Sequence, residues 1–404
     1  MRPRILFVDD DARIQQGLAR SLRCMRQDWD MLFAEGSEAA MATLEQAPCD
    51  VVVSDMRMAG MDGADLLKWV RQRSPDAVRI ILSGYSDKEA VFRTLGPAHQ
   101  YLAKPCDHQI LIQTIGRTLE LRRHIASDKV RALVAAVDTL PTPPAHFAEL
   151  VHELDAPGSS AASVAAVMAR DVAMVAQTLK LTNSAYFGLP VKVQSLTQAV
   201  RLLGLETIRN LVLLGGFFRH RGGNAETSQR LSLLIRRSLG IGELAAAIAR
   251  LEGLDDRTVA HAEAAGVLAH VGSLVLMDRW PERVRAAGRL MERDSIGASE
   301  AEIQVFGASH ADVGAYLLGL WGFTDPIVEA VAYHHSPGRY GGDNVGPVAI
   351  VHVSEFLSGQ PEAGGNGQDI PASVLDRDYL DRVGILDRLP VWAALKQTMP
   401  GENA

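Results

Sequence analysis

At 404 residues, the chain is longer than one compact core supports, and about 150 residues per domain implies two or three domains. A hydrophobic share of 47% with a charged share of 22% excludes a wholly disordered, collagenous or coiled-coil chain. The net charge of −7, from 41 Lys and Arg against 48 Asp and Glu, argues against a surface built to neutralise nucleic acid or anionic lipid.

The longest apolar stretch beside a helix runs from Leu211 to Phe218, between Arg209 and Arg219, well short of the roughly 20 residues of a membrane span. Near the start only Ile5 to Val8 precede Asp9 and Asp10, whereas a secretion signal needs an apolar core of about 7–15 residues. A cytoplasmic location with no membrane partner is therefore expected. Cys24, Cys49 and Cys106 form no C-x-x-C pair and read as small buried hydrophobes rather than a disulfide or thiolate framework.

Over about the first 125 residues, short β-branched runs alternate with amphipathic segments. The runs are Ile5–Val8, Met31–Ala34, Val51–Ser54, Ile80–Ser83 and Tyr101–Ala103. Between them, Ile14, Leu18 and Leu22, and then Leu66, Leu67 and Val70, recur at helical spacing. This pattern predicts an α/β doubly wound domain of five parallel strands and five helices.

From Asp107 the apolar periodicity runs on through Ile115, Leu119 and Val130 to Val137, as expected of one long connecting helix. Leu140-Pro141-Thr142-Pro143-Pro144 removes backbone donors and ends it, marking a domain boundary. Beyond, Ala/Leu-rich periodicity predicts an all-α helical bundle. Loop chemistry at Tyr340–Pro347 and Ser358–Gly367 sets off terminal helices, patterned over Val348–Leu357 and Leu386–Leu395.

In an open parallel sheet the carboxyl ends of the strands face one crevice, where ligands bind. Asp9 and Asp10 follow the first predicted strand, Asp55 the third and Lys104 the fifth, and Ser83 ends the fourth. Three carboxylates repel one another unless a hard cation joins them, and Mg²⁺ takes such oxygen ligands. Asp55 is the natural nucleophile toward a phosphoryl group, with Lys104 neutralising its oxygens and the Ser83 hydroxyl donating to one. Asp9 and Asp10 as helix caps, or Lys104 as a solvated charge, are the plainer readings of each residue alone. Five suitable residues at four strand ends favour the phosphoryl site.

Ile5-Leu6-Phe7-Val8-Asp9-Asp10-Asp11, Val53-Ser54-Asp55-Met56-Arg57-Met58, Met61-Asp62-Gly63, Ile81-Leu82-Ser83-Gly84 and Tyr101-Leu102-Ala103-Lys104-Pro105 resemble the receiver domain of two-component response regulators, a flavodoxin-like fold. The resemblance implies that Asp55 accepts phosphate from a sensor histidine kinase, and that Asp9, Asp10, Asp55 and the Arg57 carbonyl hold Mg²⁺. It makes Ser83 and Tyr101 a switch pair in which the aromatic ring turns inward on phosphorylation. Ala59 stands where proline is usual, and Cys106 where phenylalanine is usual.

The second half carries His261, His270, His310, His334, His335 and His352, and imidazoles inside a bundle can assemble a metal site. Each alone reads as a hydrogen-bonded core or surface residue. Asn183-Ser184 reads as a helix cap, and Arg209, Arg219 and Arg221 as a solvated basic face.

Asp171–Gly188, Ser195–Gly204, Ser309–Leu318, Trp321-Gly322-Phe323 and Val331–His335 resemble the HDOD domain, an HD-like helical relative of metal phosphohydrolases regarded as lacking their catalytic residues. Where those relatives carry a His-Asp pair, this chain has Ala269 and His270, so the resemblance implies a bundle without hydrolytic chemistry and without an expected cofactor. His310, His334 and His335 remain as a residual metal site.

The expected organisation is a receiver over 1–125, a helical linker over 126–140, an HDOD domain over 141–340 and a helical extension over 341–404. The expected function is a response regulator that accepts a phosphoryl group on Asp55 and signals through a non-catalytic HDOD output to a protein partner, with homodimerisation as a further option. The competing reading is a receiver-regulated, metal-dependent phosphohydrolase of a cyclic dinucleotide or related phosphoester, using those three histidines and Glu355. Direct DNA binding is disfavoured, since no helix-turn-helix signature or basic stripe is present.

Overall fold

The computed structural model describes residues 2–84, 97–124, 127–135, 137, 139–183, 193–213, 219–220, 225–359 and 374–399. Five parallel strands, β1 (Arg4–Asp9), β2 (Asp30–Glu35), β3 (Val51–Asp55), β4 (Val78–Gly84) and β5 (Gln100–Lys104), form one sheet in the order β2-β1-β3-β4-β5. Val51, Val52 and Val53 on the central strand are all buried, as a strand covered on both faces requires. The covering helices are α1 (Ala12–Ser21), α2 (Gly36–Gln46), α3 (Gly63–Arg73) and α4 (His108–His124). The place of the remaining predicted helix, between β4 and β5, lies outside the described residues.

Local chemistry sets where these helices start. The Asp11 carboxylate accepts from Arg13 N, and that of Asp62 from Asp65 N, so each caps a first turn. A Cβ on Gly63 would lie 2.1 Å from Asp55 O; only glycine lets α3 begin against the end of β3. One expectation is corrected at α1, where Ile14 is 40% exposed and burial falls instead on Leu22, just past the helix.

The expected long helix from Asp107 to Val137 is two: α4 and α5 (Asp128–Ala135). The Ser127 hydroxyl accepts from Val130 N at 3.3 Å, a side-chain cap that starts a new helix. Val130, Leu133 and Val134 on α5 are buried and pack against the helix His310–Leu320. The proline-rich stretch is also buried, because Pro141–Thr142 pairs in parallel with Arg219–His220.

The second half is helical, built around the helix Ala225–Leu251 lying against Asp256–Leu268. Its backbones meet closely: a Cβ on Gly242 would lie 2.4 Å from the Val267 side chain, and one on Gly272 would lie 2.0 Å from His310 O. The helix Pro347–Ser358, expected in a peripheral extension, is core, with every residue from Val348 to Glu355 buried. The stretch Asp256–Arg279 is long and apolar enough to cross a membrane by length and composition, and 78% of that window is buried inside the protein, the mark of a core segment.

The two halves are packed together. Buried apolar side chains run without a break from Phe7, Val53 and Leu82 through Leu111 and Ile115 to Trp321 and Val331. Where α4 meets His310–Leu320, a Cβ on Gly319 would lie 2.5 Å from the Leu121 side chain. Arg117 donates from the same face of α4 to Phe323 O and Asp325. Of the cysteines, Cys49 is buried and Cys106 half-buried, whereas Cys24 is exposed, contrary to its reading as core, because it sits in the 3-10 turn Arg23–Gln27 beyond α1.

Candidate functional sites

β1, β3 and β5 run parallel and end at the same edge, so their last residues converge. One oxygen each from Asp9, Asp10 and Asp55 lies within 4.8 Å of the others. Lys104 Nζ reaches across this group, 2.8 Å from Asp9 Oδ2 and 2.7 Å from Asp55 Oδ1. The Lys104–Pro105 peptide is cis. Ser83, fully buried, ends β4 opposite Ala103, and Arg57 lies in the loop two residues past Asp55. Tyr101 is fully buried within β5, so its ring is already turned inward.

Burial and the attraction of opposite charges oppose one another here. Burial pushes the Asp55 carboxyl above its usual range, against the hydrogen bond and charge of Lys104. Burial opposes the charge on Lys104 too, but the bonds from Asp55 and Asp9 prevail and its ammonium is held above the usual range. Asp10 is placed by a donor the sequence reading passed over: Ala59 N donates to Asp10 Oδ2 at 2.8 Å. Three converging carboxylates form a hard oxygen donor set that fits Mg²⁺.

A second group lies in the helical half. Helices His310–Leu320 and Asp325–Tyr333 bring His310, His334 and His335 together, as the sequence suggested, with His310 Nε2 at 3.4 Å from His334 Nε2 and 3.1 Å from His335 Nε2. A fourth ring, His270, stacks 5.3 Å from His310 between centroids, and one ring nitrogen from each of the four lies within 4.8 Å of the others. Sequence reasoning counted His270 among the histidines able to assemble a metal site but left it out of the residual three; Gly272, which lets its helix close on His310, was the available signal.

Carboxylates flank the group. His310 Nδ1 lies 2.7 Å from Glu302 Oε2, and His270 Nε2 3.5 Å from Glu355 Oε1. Glu355 is buried and bonded by Arg237 at 2.6 Å. Burial works against its charge, but His270 and Arg237 hold the carboxyl well below the usual range. Glu302 and Arg237 were not singled out from the sequence. Burial and the neighbouring imidazoles bring His334 down to about 3, while Glu302 outweighs burial and holds His310 above its ordinary value.

Two histidines stand apart. His261 meets Gln194 Nε2, and His352 uses both ring nitrogens, Nδ1 at 2.7 Å from His334 O and Nε2 accepting from Asp376 N at 3.0 Å. Asn183 is the C-cap of Val172–Thr182, its side chain bonding Val193 N and O. Ser184 and Arg221, and the side chain of Arg219, lie outside the described residues; Arg209 is 3.8 Å from Asp155.

Comparison with known proteins bears on both halves. Residues 5–116 match the response regulator receiver domain family and residues 140–337 the HDOD domain family. An uncharacterized protein of Treponema pallidum is 25% identical over 275 residues, covering 67% of this chain and 52% of that protein. The hydrogenase transcriptional regulatory protein HoxA of Cupriavidus necator is 36% identical over 118 residues, 29% of this chain and 24% of HoxA. The chain thus spans about half of the first relative and a quarter of the second. The crystal structure of a signal receiver domain of an HD domain-containing protein from Pseudomonas fluorescens is similar at 31% identity and a TM-score of 0.29, covering 30% of this chain and 98% of that one. With five parallel strands ending on an aspartate cluster and a helical body behind them, the chain carries a response regulator receiver domain joined to an HDOD domain.

Proposed function

We propose that Asp55 accepts a phosphoryl group from a histidine kinase and that the HDOD domain, acting without hydrolysis, is the output that reads it. The observation that carries this reading is the Lys104 ammonium bridging Asp9 and Asp55 at 2.8 and 2.7 Å. A lysine already desolvated beside the acceptor neutralises charge as it develops on the phosphoryl oxygens.

Asp9, Asp10, Asp55 and the Arg57 carbonyl would hold Mg²⁺, which supplies charge neutralisation to the transferring group when bound. A carboxylate oxygen of Asp55 attacks phosphorus, an acyl phosphate forms, and the bond from phosphorus to the donor nitrogen breaks with its electron pair leaving on that nitrogen. Ser83 Oγ donates to a phosphoryl oxygen. Tyr101, already inside, leaves room for Ser83 to settle toward the phosphate.

Communication with the HDOD domain runs along β5. Lys104 stands at its phosphoryl end; two residues before its other end, Ala98 O accepts from Lys180 Nζ of the HDOD domain at 3.3 Å, and that ammonium lies 4.4 Å from the Trp321 ring. A strand of five residues spans about 17 Å and is stiff enough to carry a shift from one end to the other. The non-hydrolytic reading is supported by Ala269, fully buried and without a ligand atom, and by a histidine group with no carboxylate among its metal-capable members. Among the described residues, the group holds no aspartate to bridge metals and activate water.

The test is phosphoryl uptake from a small-molecule phosphodonor with Mg²⁺, read by intact mass. Wild type is expected to gain one acid-stable, base-labile phosphoryl group and Asp55→Asn none. Stoichiometric uptake by Asp55→Asn would overturn the assignment, and turnover of a cyclic dinucleotide lost in His310→Ala would overturn the non-hydrolytic output.

A further inference from the structure

We propose that His270, His310, His334 and His335 bind a divalent first-row transition metal in the HDOD domain. Such a site is independent of phosphoryl transfer at Asp55, and the surroundings of the rings dictate where their hydrogens sit. Glu302 Oε2 lies 2.7 Å from His310 Nδ1, and Val331 O lies 2.7 Å from His334 Nδ1. Carboxylate and carbonyl oxygens accept, so both Nδ1 atoms carry hydrogen. In the neutral rings, both Nε2 atoms then present lone pairs.

Those lone pairs face each other at 3.4 Å. His335 Nε2, 3.1 Å from His310 Nε2, can offer one hydrogen to His310 and leaves His334 Nε2 opposite a filled orbital. A cation shared by the rings removes the conflict, whether a proton on His310, which Glu302 favours, or a metal ion. Imidazole nitrogens about 2.1 Å from zinc at tetrahedral angles stand about 3.4 Å apart, the spacing found here.

Three further observations point to an ion. His270, His310 and His334 are 4%, 2% and 0% exposed, a place where three imidazoles gain nothing from water. Among the described residues, His270 Nδ1 and Glu355 Oε2 are buried polar atoms without a hydrogen-bond partner, and such atoms call for an unseen ligand. A carboxylate and a carbonyl each hold the far nitrogen of a ring, the arrangement that fixes metal-binding histidines. His352, with both nitrogens engaged, instead anchors the His334 carbonyl.

An all-imidazole set selects zinc, iron, nickel or copper over Mg²⁺, which takes oxygen. The site therefore differs in ligand chemistry from the three carboxylates of the receiver, and each can be emptied without the other.

The experiment uses the full chain, stripped with a chelator and reloaded with Zn²⁺ for stoichiometry and with Co²⁺ for its visible spectrum. About one equivalent per chain is expected, with cobalt absorption of a tetrahedral or five-coordinate nitrogen site. It should persist in Asp10→Asn and be lost in His310→Ala. Glu302→Gln should weaken binding about 10–100-fold, the cost of an altered outer partner. His335→Ala, at the least buried ring, serves if His310→Ala fails to fold, as judged by circular dichroism. Folded wild type that takes up neither ion overturns the proposal. So does a metal lost in Asp10→Asn and kept in the histidine variants.

Discussion

Ala59 shows how a single position bears on the phosphoryl site. Its backbone N–H donates to Asp10, which a proline at that place could not do, so the departure noted in the sequence reaches an acidic group. Lys104 carries more of the chemistry. Lys104→Ala should slow phosphoryl uptake about 10²–10³-fold, the usual effect of removing one oxyanion donor, measured as the initial rate with a small-molecule phosphodonor. Asp55 bears on stability as well. Its raised carboxyl means that the folded state binds this proton more tightly than the unfolded chain does, so its effect on stability worsens as pH rises from the usual 3.8 through the raised folded value. Asp55→Asn removes that cost. Its urea midpoint should exceed that of wild type at pH 7, and the gap should close as the pH is lowered toward 4.

Elements differ in how openly the sequence declares them. The runs Ile5–Val8 and Val51–Ser54 are local signals, and they place Asp9 and Asp55 at strand ends because neighbouring parallel strands all finish at one edge of the sheet. The break between α4 and α5 is hidden by unbroken apolar periodicity; one hydroxyl, Ser127, decides it. The four-ring cluster is only partly legible, since His310, His334 and His335 share neighbouring helices while His270 arrives on another. That arrival depends on the crossing where a Cβ on Gly272 would meet His310 O at 2.0 Å and Gly314 N at 2.8 Å. Gly272→Ala is therefore expected to cost about 1–3 kcal/mol, as overpacking does, and to lower the thermal midpoint in calorimetry. A midpoint equal to wild type would mean that these backbones separate without strain.

For the whole molecule, the junction between domains sets the behaviour. Leu121 sits where any side chain on Gly319 would stand, and Arg117 ties the rim to Asp325. Gly319→Leu should part the domains and increase the radius of gyration in small-angle scattering, while Asp55 still takes up phosphate. An unchanged radius would show that the junction accommodates the added volume. The composition announced two or three domains but not that they share one core, because side chains such as Leu121 and Trp321 look alike whether they face their own domain or the next.

Lys180 is 4% exposed and has Ala98 O and the Trp321 ring beside its ammonium. A receiver grafted onto this HDOD domain in place of the native one would have to seat its own main chain against that buried ammonium. One that keeps every catalytic aspartate but misplaces that main-chain oxygen gives up the hydrogen bond from Lys180 across the seam.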